Sequence, residues 1–228
     1  MDNRFWGNRY WDNKLSVKNF LRDIAGAVLV EYTVVFPLFI VVVLGTVDVT
    51  YMLYEWGLAN KAAYRGARTA VVSAPVAVNI TSPAYDATLI GQPCFNTAGT
   101  NVNCPSLSTV CTPGASNGTC TNGFAWDEAA FTNSSDRIFD RMKSIFPRLT
   151  RQNVQISYQT NNLGFVGRPG GLPMNVTVSI QCMTHQFFFI DALMRWAFTP
   201  PAGCPVTLRG PAIPGFASTL QSEDMSTN

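Results

Sequence analysis

The sequence predicts an α+β protein: a long N-terminal membrane-anchoring helix runs on into an outer domain with a small antiparallel sheet, one or two packed helices and a disulfide-stapled loop insertion. Three observations lead to this class. Residues 32–47 form an uncharged apolar run, all of the cysteines lie beyond it, and residues 154–158 and 176–180 alternate apolar and polar side chains as half-buried strands do. A chain of 228 residues has room for an anchor and a domain of roughly 150 residues. Charged residues make up 13% of it, against about 25% in ordinary soluble domains, which points away from a cytosolic enzyme. A net charge of +2 with scattered Lys and Arg excludes a nucleic-acid partner.

The anchor comes first. As a helix, residues 32–47 span only about 24 Å, whereas the hydrocarbon core of a bilayer is about 30 Å thick. Extending the helix back to Ala27 gives a span over residues 27–47 of roughly 31 Å and draws Glu31 toward the lipid. A carboxylate there costs a few kcal/mol and calls for a partner, unless it rests among head groups at the end of a short span. Pro37 removes the hydrogen bond to the Thr33 carbonyl, so a kink or local unwinding is expected, with the Thr33 hydroxyl available to satisfy the backbone.

Ahead of the span, Arg4, Arg9, Lys14, Lys18 and Arg22 outnumber Asp2, Asp12 and Asp23, an excess that keeps that side in the cytoplasm. The rest of the chain then lies in the periplasm, where cysteines oxidise. The run is followed by Gly45-Thr-Val-Asp48, which lacks an Ala-x-Ala cleavage pattern, while the small pair Ala25-Gly26 precedes it. A cut at that point would remove residues 1–26 and leave the anchor in place.

Gly26-Ala27 followed by Glu31-Tyr32 resembles the processing site of type IVb prepilins. With Pro37 and the later string Ala59-Asn-Lys-Ala-Ala-Tyr-Arg-Gly66-Ala67-Arg68, residues 20–75 resemble TadE-like minor pilins of the tight-adherence (Flp) pilus. The resemblance implies a prepilin peptidase that cuts after Gly26, and an inner-membrane subunit whose partners are other pilins or pseudopilins and the pilus assembly machinery. It makes Glu31, Tyr32 and Pro37 the residues of assembly. Independently, cleavage would give Ala27 a free ammonium one helical turn from Glu31, an opposite-charge pair that offsets burial of either; in a fibre the amine would come from a neighbouring subunit. The alternative is an uncleaved single-pass protein with a disulfide-bonded periplasmic binding or enzymatic domain.

The helix is expected to continue over residues 48–74 until Pro75, with Val47, Tyr51, Tyr54 and Leu58 facing a core. Small residues recur at Ala59, Ala63 and Ala67, and again at Ala62, Gly66 and Ala70, a surface fit for the chain's own sheet or for another subunit.

Residues 75–125 are rich in Ser, Thr, Asn, Gly and Pro and read as a stapled loop insertion. The cysteines are Cys94, Cys104, Cys111, Cys120, Cys182 and Cys204, with no Cys-x-x-Cys among them, so zinc ribbons and thioredoxin-like motifs do not fit. Six cysteines allow about fifteen connectivities. Pairing of sequence neighbours would join Cys94 to Cys104, Cys111 to Cys120 and Cys182 to Cys204.

Within the α+β domain of residues 126–220, a helix is expected over 135–149 with Ser134 or Ser135 as its cap. Gly164 to Gly171 reads as a turn without the Gly-Lys-Ser/Thr ending of a phosphate loop. Residues 187–198 read as a short helix packed on the sheet or lying at the membrane surface, 206–208 as a last strand, and 221–228 as a loose tail. His185 is the single histidine, so a multi-histidine metal site is excluded. No acid pair suggests glycoside chemistry and no acidic cluster suggests calcium. No catalytic residue, metal or cofactor is therefore expected.

Overall fold

The computed structural model describes residues 24–81, 86–95, 103–132, 137–161, 163–169, 171–185, 187–189, 191, 215–222 and 225. A single helix, α1 (Ile24–Ala70), is 47 residues long and so roughly 70 Å from end to end. Its first half is dense in Val, Leu and Ile and is exposed, with no packing partner among the described residues. β-branched residues are only moderate helix formers, yet in lipid backbone N–H and C=O groups must be satisfied within the segment, which favours a helix here, Pro37 leaving one carbonyl without its usual donor. α1 continues through Pro37 without a break in helical structure, so the expected local unwinding is not found. The Thr33 hydroxyl donates to the Val30 carbonyl at 2.8 Å, so it does not serve the carbonyl that Pro37 leaves free. The helix ends at Ala70, earlier than Pro75 alone would require.

The outer domain is a five-stranded sheet with helices on one face. Its strands are β1 (Ser108–Pro113), β2 (Gly118–Cys120), β3 (Val154–Thr160), β4 (Met174–Ile180) and β5 (Phe216–Gln221). They lie in the order β2-β1-β3-β4-β5, and every neighbouring pair is antiparallel. The alternation expected for the two central strands holds, with Val154 opposite Ile180 and Ile156 opposite Val178. Val154, Ile156, Tyr158, Met174, Val176, Val178 and Ile180 point into the core, while Gln155, Ser157, Asn175, Thr177 and Ser179 line the opposite, polar face.

Three departures from the sequence reading have physical causes. The segment expected to be a loop insertion supplies β1 and β2, whose Thr- and Ser-rich residues are suited to a sheet with one wet face. β5 is a strand the sequence reading did not place, on a stretch it left without an element; the expected strand at 206–208 and the expected caps Ser134 and Ser135 lie outside the described residues. The tail is anchored where described: Ser222 donates its backbone N–H to Met174 and accepts the Met174 N–H on its hydroxyl at 2.9 Å, and Met225 is buried.

Two short helices, α2 (Glu128–Phe131) and α3 (Ile138–Ile145), complete the described domain. The α3 helix is shorter than expected because Pro147 follows it, and Phe146 and Leu149 reach the core from beyond its end. Disulfides join Cys94 to Cys104 and Cys111 to Cys120, the second tying β1 to β2. Cys182 is also disulfide-bonded, and Cys204, its expected partner, lies outside the described residues.

The C-terminal half of α1 packs on α3, β4 and β5. The contact is close because the helix presents Ala59, Ala62, Ala63, Gly66, Ala67 and Ala70, all buried. A Cβ on Gly66 would sit 2.5 Å from Met142 Sδ and 3.2 Å from a Val178 methyl, so any side chain there forces Met142 to shift from its packed position. The small-residue stripe thus serves the chain's own domain.

Candidate functional site: the anchor helix and its clamp

α1 carries three carboxylates, and their surroundings differ by depth along the helix. Glu31, in the bare N-terminal half, is exposed and has no ion-pair partner among the described residues. Tyr32 beside it is exposed and stacks on Phe36 with ring centroids 5.3 Å apart, and Pro37 lies on the same unpacked stretch. The Gly26-Ala27 bond falls within the first turns of α1, which begins at Ile24. Glu31, Tyr32 and Pro37 thus lie on one exposed stretch of the helix.

Asp48 and Glu55 lie about two helical turns apart, on the face that leads into the alanine stripe. Both are buried. The Asp48 carboxylate accepts hydrogen bonds from the backbone N–H of Phe188 at 3.2 Å and of Phe189 at 2.8 Å. Glu55 accepts from the Arg148 guanidinium through Oε1, and its Oε2 lies 2.6 Å from His185 Nδ1. His185 is fully buried, with Tyr51 and Phe187 against its ring at 5.6 and 4.8 Å. The two acids therefore clamp the emerging helix to the domain through groups more than ninety positions away.

Sequence reasoning placed the core face one position off, at Val47, Tyr51, Tyr54 and Leu58. Val47, Tyr51 and Tyr54 are exposed and Leu58 is half-buried; the face that packs is Asp48, Glu55, Ala59 and onward. Counting apolar residues misled because the true face opens with two acids. The available signal was the pair of carboxylates at a two-turn spacing in a helix otherwise poor in charge.

The chemistry offered by this cluster is charge-assisted hydrogen bonding. His185 Nε2 is buried without a hydrogen-bond partner among the described residues, and the rings of Tyr51 and Phe187 pack against the imidazole. A cavity of about 590 Å³ opens beside Arg148, and its walls carry amides, hydroxyls and one guanidinium, with no carboxylate or imidazole. Elsewhere Glu128, hydrogen-bonded by Arg151 and by the Trp126 indole, is held below the ordinary carboxylate range chiefly by Arg151. Burial pushes the Tyr158 hydroxyl well above the ordinary phenol value.

Residues 26–68 match a protein-family model described as TadE-like protein. The match begins at Gly26, takes in Glu31, Tyr32, Pro37, Asp48 and Glu55, and ends at Arg68 in the last turn of α1. Neither the curated proteins nor the solved structures contain a match to the chain. Over residues 26–68, the helix that is long and apolar enough to span a membrane and then docks on the domain, the chain is similar to the TadE-like family, a structural family associated with Tad/Flp pili.

Proposed function

We propose that the chain is a minor pilin-like assembly subunit of a Tad/Flp type IVb pilus, without catalytic activity of its own. Residues 1–26 form a cytoplasmic leader that a prepilin peptidase removes after Gly26. The span of residues 27–47 holds the mature subunit in the bacterial inner membrane with its domain in the periplasm, until it joins a pilus or its assembly complex.

The observation that carries this reading is Glu31, an exposed carboxylate on a membrane-length helix with no ion-pair partner among the described residues. An acid in such a place needs a countercharge from elsewhere, and the new ammonium of Ala27, on the same or a neighbouring subunit, supplies it. The test is Glu31→Ala in cells that make the pilus: processing after Gly26 continues, and incorporation of the subunit into sheared fibres or the assembly complex is lost. Unchanged incorporation removes the pairing role.

A second reading, an uncleaved membrane protein with a periplasmic binding domain, draws on the polar cavity beside Arg148. It requires residues 1–26 to persist on the mature chain.

A further inference from the structure

We infer that Phe188 and Phe189 form a second membrane contact, dipping into the outer head-group layer beside the point where α1 leaves the lipid. The inference rests on the reading of residues 27–47 as a membrane span. Those residues make roughly 31 Å of helix, which matches the hydrocarbon thickness of about 30 Å, so Asp48 marks the boundary. Beyond it the interfacial layer extends about 5 to 7 Å further.

Asp48 fixes where the phenylalanines sit. Its carboxylate holds the backbone N–H of both, at 3.2 and 2.8 Å, so the Phe188-Phe189 backbone is pinned level with the end of the span. Yet their side chains turn outward, 73% and 55% exposed, while Phe187 next to them is buried. Phe188 lies 5.8 Å from Tyr51, and Tyr51 lies 6.4 Å from Tyr54, both exposed on α1. Tyr51 is about 4.5 Å along the helix beyond Asp48 and falls within the interfacial layer. These rings continue the apolar surface of the span directly, at the depth where aromatic side chains gather in membrane proteins.

The arrangement also accounts for Asp48. A free carboxylate at the edge of the hydrocarbon would be costly, and here two backbone donors satisfy it while it positions the rings. With one contact through α1 and a second through the phenylalanines, the domain is held against the bilayer at a set orientation rather than swinging on a single helix.

The test uses the full chain reconstituted in phosphatidylcholine and phosphatidylglycerol vesicles, with a nitroxide on Phe189→Cys. Collision with oxygen and with a water-soluble nickel chelate reads its depth. A label on Ser116→Cys, exposed between β1 and β2, gives the aqueous reference, and one on Val35→Cys gives the reference within the span. The expected result is an oxygen-to-nickel ratio at position 189 several-fold above that at 116 and below that at 35, falling toward the aqueous value when Asp48→Asn is added. A ratio at 189 equal to that at 116, with 35 deep in lipid, overturns the contact and leaves the span intact. Shielding from both reagents at 189 means protein covers the rings, which also overturns it. Aqueous ratios at both 189 and 35 would bring down the membrane-span reading itself.

Discussion

His185 Nδ1 lies 2.6 Å from Glu55 Oε2 across 130 positions of sequence, with both side chains buried where the long helix enters its domain. Arg148 closes the same carboxylate from the other side. Burying an acid is tolerable only with partners of this kind, so the position of the helix is coupled to the ends of two otherwise distant segments.

Removing the shared acid is expected to be costly. Glu55→Ala leaves His185 and Arg148 without their acceptor and destabilises the domain by about 3 kcal/mol, below the top of the range for buried pairs because Arg148 is half-exposed. Chemical unfolding of the detergent-solubilised chain measures this. In a double-mutant cycle, Arg148→Ala costs less once Glu55 is gone; strictly additive losses would show that the two do not interact.

The helix-to-domain approach depends on Gly66. Gly66→Ala drives a methyl onto Met142, for a loss of about 1 to 2 kcal/mol despite the better helix propensity of alanine. In a Met142→Ala background the loss shrinks, since the clash is gone. A melting temperature unaffected by Gly66→Ala would rule out the tight contact.

Tyr158 provides a pH signature. It is fully buried, and its oxygen accepts the Val76 backbone N–H at 3.1 Å. Burial raises its folded pKa above the unfolded value, so its contribution is fully present below about pH 10 and is lost as pH rises through the folded value. Stability should therefore fall on the alkaline side, and tyrosinate absorbance from this residue should appear only with unfolding. Tyr158→Phe leaves the Val76 N–H unpaired, costs about 1 to 3 kcal/mol at neutral pH, and flattens the alkaline decline.

The Cys111–Cys120 bridge joins the edge strand β2 to β1 over a short loop. Replacing both cysteines by alanine should cost about 2 to 3 kcal/mol by loop-closure entropy. Hydrogen exchange should speed up first in β2, with β3 and β4 little changed. Equal exchange across the whole sheet would mean that the bridge sustains more than the edge.

What the sequence made legible was whatever local chemistry determines. Glu31 and Pro37 declare themselves inside an apolar run, and Val154 to Thr160 and Met174 to Ile180 alternate cleanly because one face is wet. β5 escaped notice because Phe216, Ser218 and Leu220 alternate only weakly and each is half-buried at the edge of the sheet. The partners of the clamp were hidden for a different reason: the spacing of Asp48 and Glu55 is local, but Arg148 and His185 carry no local pattern and meet Glu55 only when α1, the segment after α3 and the segment after β4 come together. Aromatic residues at helical spacing, Tyr51 and Tyr54, suggested a core where the structure leaves them exposed beside the span. Apolar periodicity reports any non-aqueous neighbour, lipid as well as protein.

Mass spectrometry of the N-terminus of membrane-extracted protein tests the pilin reading most directly. Prepilin processing predicts a mature chain that begins at Ala27 in cells with an active prepilin peptidase and retains residues 1–26 when the peptidase is deleted. A chain that keeps residues 1–26 in both strains would contradict it.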